Sequence, residues 1–230
     1  MQSLAYISKH QKTVKCSYAS GLDEITDGGI PKNRSTLLVG NSGSGKTVIA
    51  MNILVNGIVN FNQPGVFLAF EESKEELMMN VKSMKFDLDT HVSNKKLYIE
   101  QVTINPDEKR VTGKYDLEGL FIRLERAINS VKAKLIVLDS LDTLLYNLDY
   151  AILRSEFLRL VSWLKKKEVT AIITSETGNN FLTRMGIEEF VTDCVILLDN
   201  RVADQITTRR LRIIKFRGSI HGNNESGCYL

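Results

Sequence analysis

The eight residues Gly40-Asn41-Ser42-Gly43-Ser44-Gly45-Lys46-Thr47 fit the pattern G-x-x-x-x-G-K-[ST], and no other stretch constrains the chain as tightly. They follow the apolar run Ser35–Val39 and lead into the amphipathic stretch Thr47–Asn60, the strand-loop-helix setting this motif requires. Its glycines let successive backbone N–H groups turn into one concavity, a nest for phosphate oxygens. The following helix directs the positive end of its dipole at the same anion. The spacing therefore points to bound ATP, with candidate contacts at Ser42, Gly43, Ser44, Gly45, Lys46, Thr47 and Val48. Lys46 is expected on the β- and γ-phosphates, and the Thr47 hydroxyl on Mg²⁺. The simpler alternative is a glycine turn that merely caps a helix.

The rest of the chain alternates short apolar runs with longer amphipathic stretches, as an α/β protein with a mostly parallel sheet does. Strands are expected at Ser35–Val39, Val66–Phe70, Leu97–Glu100, Leu135–Leu138, Thr170–Thr174 and Cys194–Leu198. Helices are expected at Thr47–Asn60, Glu75–Met84, Leu117–Val131 and Ile152–Leu164, with Met78 and Met79 as core fillers. Thr207–Arg217 breaks the alternation and reads as an antiparallel edge strand after a turn at Asp199-Asn200-Arg201. There is no internal repeat, low-complexity tract or Pro/Gly/Ser linker, so residues 1–230 read as one domain. Leu135-Ile136-Val137-Leu138-Asp139 is an apolar strand ending in an acid, a Walker B pattern. Asp139 at the carboxyl end of such a strand lies beside the phosphate loop and would hold Mg²⁺ directly or through water. Read alone, Asp139 could instead cap a helix, although Ser140 or Asp142 suits that role better.

A second acid pair, Glu71-Glu72, ends the run Val66–Phe70. One of these carboxylates could orient the water that attacks the γ-phosphate. Neighbours on an extended chain point to opposite sides, which leaves the role divided between the two. Alternatively both simply begin the next helix, where acids suit the dipole. Lys215 and Arg217 are two cations two residues apart, on one face of a strand. They could reach the γ-phosphate of a neighbouring protomer, or merely blunt a solvated sheet edge.

Several segments together carry a family resemblance. Gly21–Pro31, Gly57-Ile58, Pro64–Phe67, Phe70-Glu71-Glu72, Asp139-Ser140, Gly186–Val191 and Lys215–His221 resemble, in order and with few gaps, the RecA-like KaiC family. The likeness is greatest to that family's N-terminal, ATP-hydrolysing domain. It implies a RecA-like fold and a hexameric ring that holds Mg-ATP between neighbouring subunits. It also implies slow hydrolysis coupled to a KaiB-like partner, in a clock, stress-response or other regulatory role. Glu71 and Glu72 match the catalytic glutamates; Gly43, Gly45, Lys46 and Thr47 match phosphate and Mg²⁺ contacts. Ser83 matches a position near the adenine. Lys215, Phe216, Arg217, Ser219 and His221 match positions that contact nucleotide from the adjacent subunit, Ser219 replacing the usual threonine.

Two departures stand out. The family's full-length members carry two tandem RecA-like domains, so this chain is expected to be a single-domain relative or the N-terminal half of a longer protein. The family's kinase-type second domain has adjacent Ser-Thr phosphate acceptors where this chain has Glu188-Glu189, so autophosphorylation here is not expected; a second domain elsewhere would be its seat. Gly227–Leu230 also differs from the usual ending.

Other function classes fare less well. The net charge is only +3, too small for bulk attraction to nucleic acid or a membrane surface. A DNA-acting motor of RecA type needs cations in its channel, yet Leu141–Tyr150 and Gly178–Arg184 hold only Arg184, alongside Asp142 and Asp149. A nucleotide-gated signalling module without useful turnover is the third reading. No apolar run approaches the ~20 residues a membrane span needs, and no signal peptide is evident, so a cytoplasmic location is expected. Cys16, Cys194 and Cys228 lack metal-ligand spacing, and Cys194 reads as a buried thiol.

Overall fold

The protein was described by a computed structural model, in which residues 13–14, 22, 26, 28–84, 86–103, 117–145, 150–179, 181–203, 206–218 and 226–227 are described. The strands are β1 (Thr13–Val14), β2 (Ile30–Pro31), β3 (Ser35–Gly40), β4 (Gly65–Ala69), β5 (Leu97–Gln101), β6 (Leu135–Asp139), β7 (Thr170–Glu176), β8 (Cys194–Ala203), β9 (Ile206–Phe216) and β10 (Ser226–Gly227). The helices are α1 (Lys46–Phe61), α2 (Lys74–Lys82), α3 (Leu88–Ser93), α4 (Glu118–Val131), α5 (Leu141–Leu145), α6 (Tyr150–Lys166) and α7 (Glu188–Val191).

Eight strands form one sheet in the order β10-β9-β8-β3-β7-β6-β4-β5, while β1 and β2 pair separately. The six strands from β8 to β5 run parallel. On the β8 side, β9 and β10 add antiparallel edge strands. This is the expected RecA-like arrangement, and each of the six parallel strands was expected, several of them as runs apolar throughout. Such runs arise because both faces of a parallel sheet are covered. In β3, for example, Leu38 packs into the layer containing α1, while Leu37 and Val39 pack into the layer of α4 and α6.

The α1 helix lies close against the sheet because Gly57 has no side chain. A Cβ there would collide with Leu135 Cδ1 on β6. The start of α2 is set by a capping box, with Ser73 Oγ accepting from Glu76 N and Glu76 Oε2 accepting from Ser73 N. Glu71 and Glu72 therefore precede the helix rather than begin it. Met78 packs against the core as expected, but Met79 is 73% exposed and is not a core filler.

The expected turn at Asp199-Asn200-Arg201 is not there. These residues belong to β8, paired with Arg210, Arg209 and Thr208, and the ladder continues to Ala203 and Ile206. Turn-prone residue types have been overridden by non-local pairing, as β propensity often is. Asn200 has a further tertiary role, because its Nδ2 donates to the Gly43 carbonyl at 3.1 Å.

Candidate nucleotide site

The phosphate loop joins the end of β3 to the first turn of α1. Gly43 and Gly45 have φ values of 74° and 95°, a left-handed conformation that a side chain would disfavour. A Cβ on Gly43 would meet no atom within 4 Å, so this turn of backbone is open on its outer side. The Lys46 ammonium folds back over the loop, donating to the Gly40 carbonyl at 2.8 Å and the Asn41 carbonyl at 3.1 Å. Ser44 Oγ and Asn200 Oδ1 are buried atoms without a partner, both at this loop. An open turn of glycine backbone, a helix N-terminus and a lysine fit a polyphosphate. Beside Asn41, a recess of about 330 Å³ is lined by Arg201, Arg210 and Arg212 as well as Asp199 and Thr177.

Asp139 reaches the same loop because β6 and β7 insert between β3 and β4. Its carboxylate accepts a hydrogen bond from the Thr174 hydroxyl of β7 and another from Thr47. Burial raises the Asp139 carboxyl above its ordinary range, against the opposing pull of those two bonds and of Lys46. A buried carboxylate touching a threonine hydroxyl is a hard-oxygen pair of the kind Mg²⁺ takes together with nucleotide phosphates. Thr47 and Asp139 would hold that ion, which would neutralise charge on the phosphates.

The two glutamates separate. Glu71 Oε1 accepts from Ser140 Oγ at 2.7 Å and from Thr143 Oγ1 at 2.5 Å. Burial alone would raise this carboxyl, but the Thr143 and Ser140 bonds, with Lys46 and Arg184, hold it below the usual range. It therefore stays ionised beside Lys46 and able to accept from a water. Glu72 turns away, accepting at 3.4 Å from Asn80 Nδ2 on α2. The peptide between Asp139 and Ser140 is cis. Asp142 is not a helix cap. It lies inside α5, 4% exposed, its Oδ2 accepting from Glu176 N at 2.8 Å and its Oδ1 from Ser175 Oγ at 3.1 Å. Burial, together with nearby Glu188 and Glu176, pushes the Asp142 carboxyl up to about 6 despite those two bonds. Glu188 is 1% exposed and accepts from Thr183 Oγ1 at 2.6 Å.

Lys215, Phe216 and Arg217 are far from all of this. Phe216 pairs with Cys194, which pairs in turn with Thr36 at the start of β3. Gly40 lies four residues further along β3, about 13 Å at ~3.3 Å per residue. The cations thus sit at the opposite end of the sheet from the phosphate loop of their own chain. Lys215 Nζ donates to the carbonyls of Glu189 at 2.8 Å and Thr192 at 2.6 Å, and Arg217 Nη2 to that of Phe190 at 2.9 Å. Lys215 from β9 and Arg217 from the turn just beyond it therefore both engage the carboxyl end of α7. Burial, with Arg217 nearby, lowers the Lys215 ammonium, while Phe216 is buried. Ser83 is exposed at the end of α2. Ser219 and His221 lie outside the described residues.

Thr143, Ser140, Thr174 and Asn200 escaped the sequence reading as site residues. A lone hydroxyl or amide has no motif, and only the strand order brings these four to the loop.

Fold and loop together define a P-loop nucleotide-binding domain of the RecA-like class. A family model described as "ATPase: KaiC" matches residues 16–227, and the chain belongs to that family. It is 45% identical over 220 residues to "Circadian clock protein KaiC2" of Synechocystis sp., covering 95% of this chain and 39% of that protein. It is 40% identical over 208 residues to "Circadian clock oscillator protein KaiC" of Picosynechococcus sp., covering 89% and 40%. The chain thus spans about two fifths of the length of these relatives. Among the described residues, no helix is long and apolar enough to cross a membrane.

Proposed function

We propose that this chain binds Mg-ATP and hydrolyses it slowly at the interfaces of a homo-hexameric ring, and that nucleotide state is passed to a regulatory partner of KaiB-like type. Thr47 and Asp139 hold Mg²⁺; Ser42 to Val48 hold the phosphates, and Ser83 lies towards the adenine. Glu71 orients the attacking water, with Glu72 in a lesser role. Lys215, Phe216, Arg217, Ser219 and His221 of the next subunit close the site. One observation carries this reading: the phosphate loop and the Lys215–Arg217 cations lie at opposite ends of the sheet. A chain built this way cannot bring Lys215 and Arg217 to its own phosphates, whereas head-to-tail neighbours can, and such heterologous contacts generate rings when their rotation closes. Residues 1–230 act as one domain in this reading, and any Ser/Thr autokinase chemistry belongs to a second domain of a longer protein.

Complementation tests the shared site. Glu71→Gln disables the cis half and Arg217→Ala the trans half, and each variant alone is expected to be nearly inactive. Mixed in equal amounts and reassembled, they regain activity, because about one interface in four then joins two intact halves. Mixtures no more active than their components reject the shared site. Within the cradle, Lys46→Ala is expected to weaken ATP binding roughly 10- to 100-fold, since charge-assisted bonds to phosphate are lost. Equilibrium titration with ATP checks this, and an unchanged affinity would count against the phosphate assignment.

A further inference from the structure

We infer that Thr143 is a positioning residue for hydrolysis, fixing Glu71 so that one carboxylate oxygen is left to engage water. The inference rests on the reading of Glu71 as the acid that acts on water. Both hydroxyl donors, Thr143 Oγ1 at 2.5 Å and Ser140 Oγ at 2.7 Å, converge on the same atom, Oε1. Glu71 Oε2 is then the oxygen available to accept from a nucleophile. A glutamate on an exposed loop would otherwise sample many rotamers, and misplacement of a water-orienting group by 1 Å is costly to rate.

Thr143 is suited to the task by its own residue type and by its neighbour. A β-branched side chain is restricted at χ1, with two rotamers open to threonine in a helix, and the bond to Glu71 is made from one of them. Thr143 belongs to α5, whose Asp142 is fastened to β7 through Glu176 N at 2.8 Å and Ser175 Oγ at 3.1 Å. The loop carrying Glu71 is tied to β6 as well, through Phe70 N donating to the Asp139 carbonyl at 2.7 Å. Acid and positioning hydroxyl are thus both anchored to the central strands, and the bond between them fixes the carboxylate plane.

The test compares Thr143→Val, which keeps shape without the hydroxyl, with Thr143→Ser, which keeps the hydroxyl. T143V is expected to lower kcat for ATP hydrolysis about tenfold, with the ATP dissociation constant changed less than about twofold. T143S is expected to stay within about threefold of the parent rate, because its hydroxyl can still donate. In a Glu71→Gln background, T143V is expected to produce almost no further loss, as residues acting through one another are non-additive. An unchanged kcat in T143V overturns the inference. So does an equal loss in T143S, or a full tenfold loss added on top of E71Q. The parent reading of Glu71 fails separately, if E71Q by itself hydrolyses ATP at the unaltered rate.

Discussion

Glu71→Gln is expected to lower the turnover of ATP roughly 10²- to 10⁴-fold, the usual range for loss of a positioned acid–base group, while leaving ATP affinity almost unchanged. Glutamine keeps the size of the side chain, and its carbonyl oxygen can still accept from Thr143 and Ser140. The opposite corner becomes an amide, which donates where the carboxylate accepted, so water loses its acceptor. Glu72→Gln should have a much smaller effect, because Glu72 faces Asn80 on α2. Phosphate release measured under saturating ATP, beside nucleotide titration of each variant, separates chemistry from binding. Near-normal turnover in E71Q together with an inactive E72Q would reverse the assignment.

The second large effect concerns stability and the buried carboxyl of Asp142. In the folded chain burial pushes this group up to about 6, against an ordinary 3.8. Below pH 4 both folded and unfolded chains carry the proton, and Asp142 is neutral in stability. As pH rises from 4 to 6, the unfolded chain releases its proton first, so the folded state binds more protons and stability falls. Above pH 6 the penalty is complete and levels off, at about 3 kcal/mol for a displacement of about two pK units. An asparagine in its place would carry no charge to bury, and its amide can accept from Glu176 N and donate towards Ser175. Asp142→Asn is therefore expected to raise the unfolding free energy by about 2 to 3 kcal/mol at pH 8 and about half as much at pH 5. Urea denaturation at the two pH values checks the sign, and a variant less stable than the parent at pH 8 rejects it.

Much of the candidate site was legible from sequence because its chief parts are local. Gly40–Thr47 is a contiguous motif whose chemistry follows from its own spacing. Asp139 closes an apolar run, and a two-sided strand needs no partner to be recognised. Which of two adjacent acids faces the phosphates is a different kind of question. Its answer depends on Ser140 and Thr143, donors from a neighbouring strand end and helix. The misread turn at Asp199-Asn200-Arg201 has the same origin. Polar residues there form a strand because β9 pairs with them, and register between distant segments is invisible in composition. Asp142 looked like a cap because caps are where aspartates usually sit beside helices; its burial against β7 appears only once the sheet is assembled.

The polarity of the sheet also sets an arithmetic for assembly. If each chain holds a donor half at one end and an acceptor half at the other, an isolated chain contains no finished catalytic centre. An open row of chains always lacks one, because its two terminal halves face solvent. Only closure into a cycle makes centres and chains equal in number. Specific activity per chain should then climb with protein concentration and reach a plateau at ring closure, so that dilution by itself would act as an off-switch.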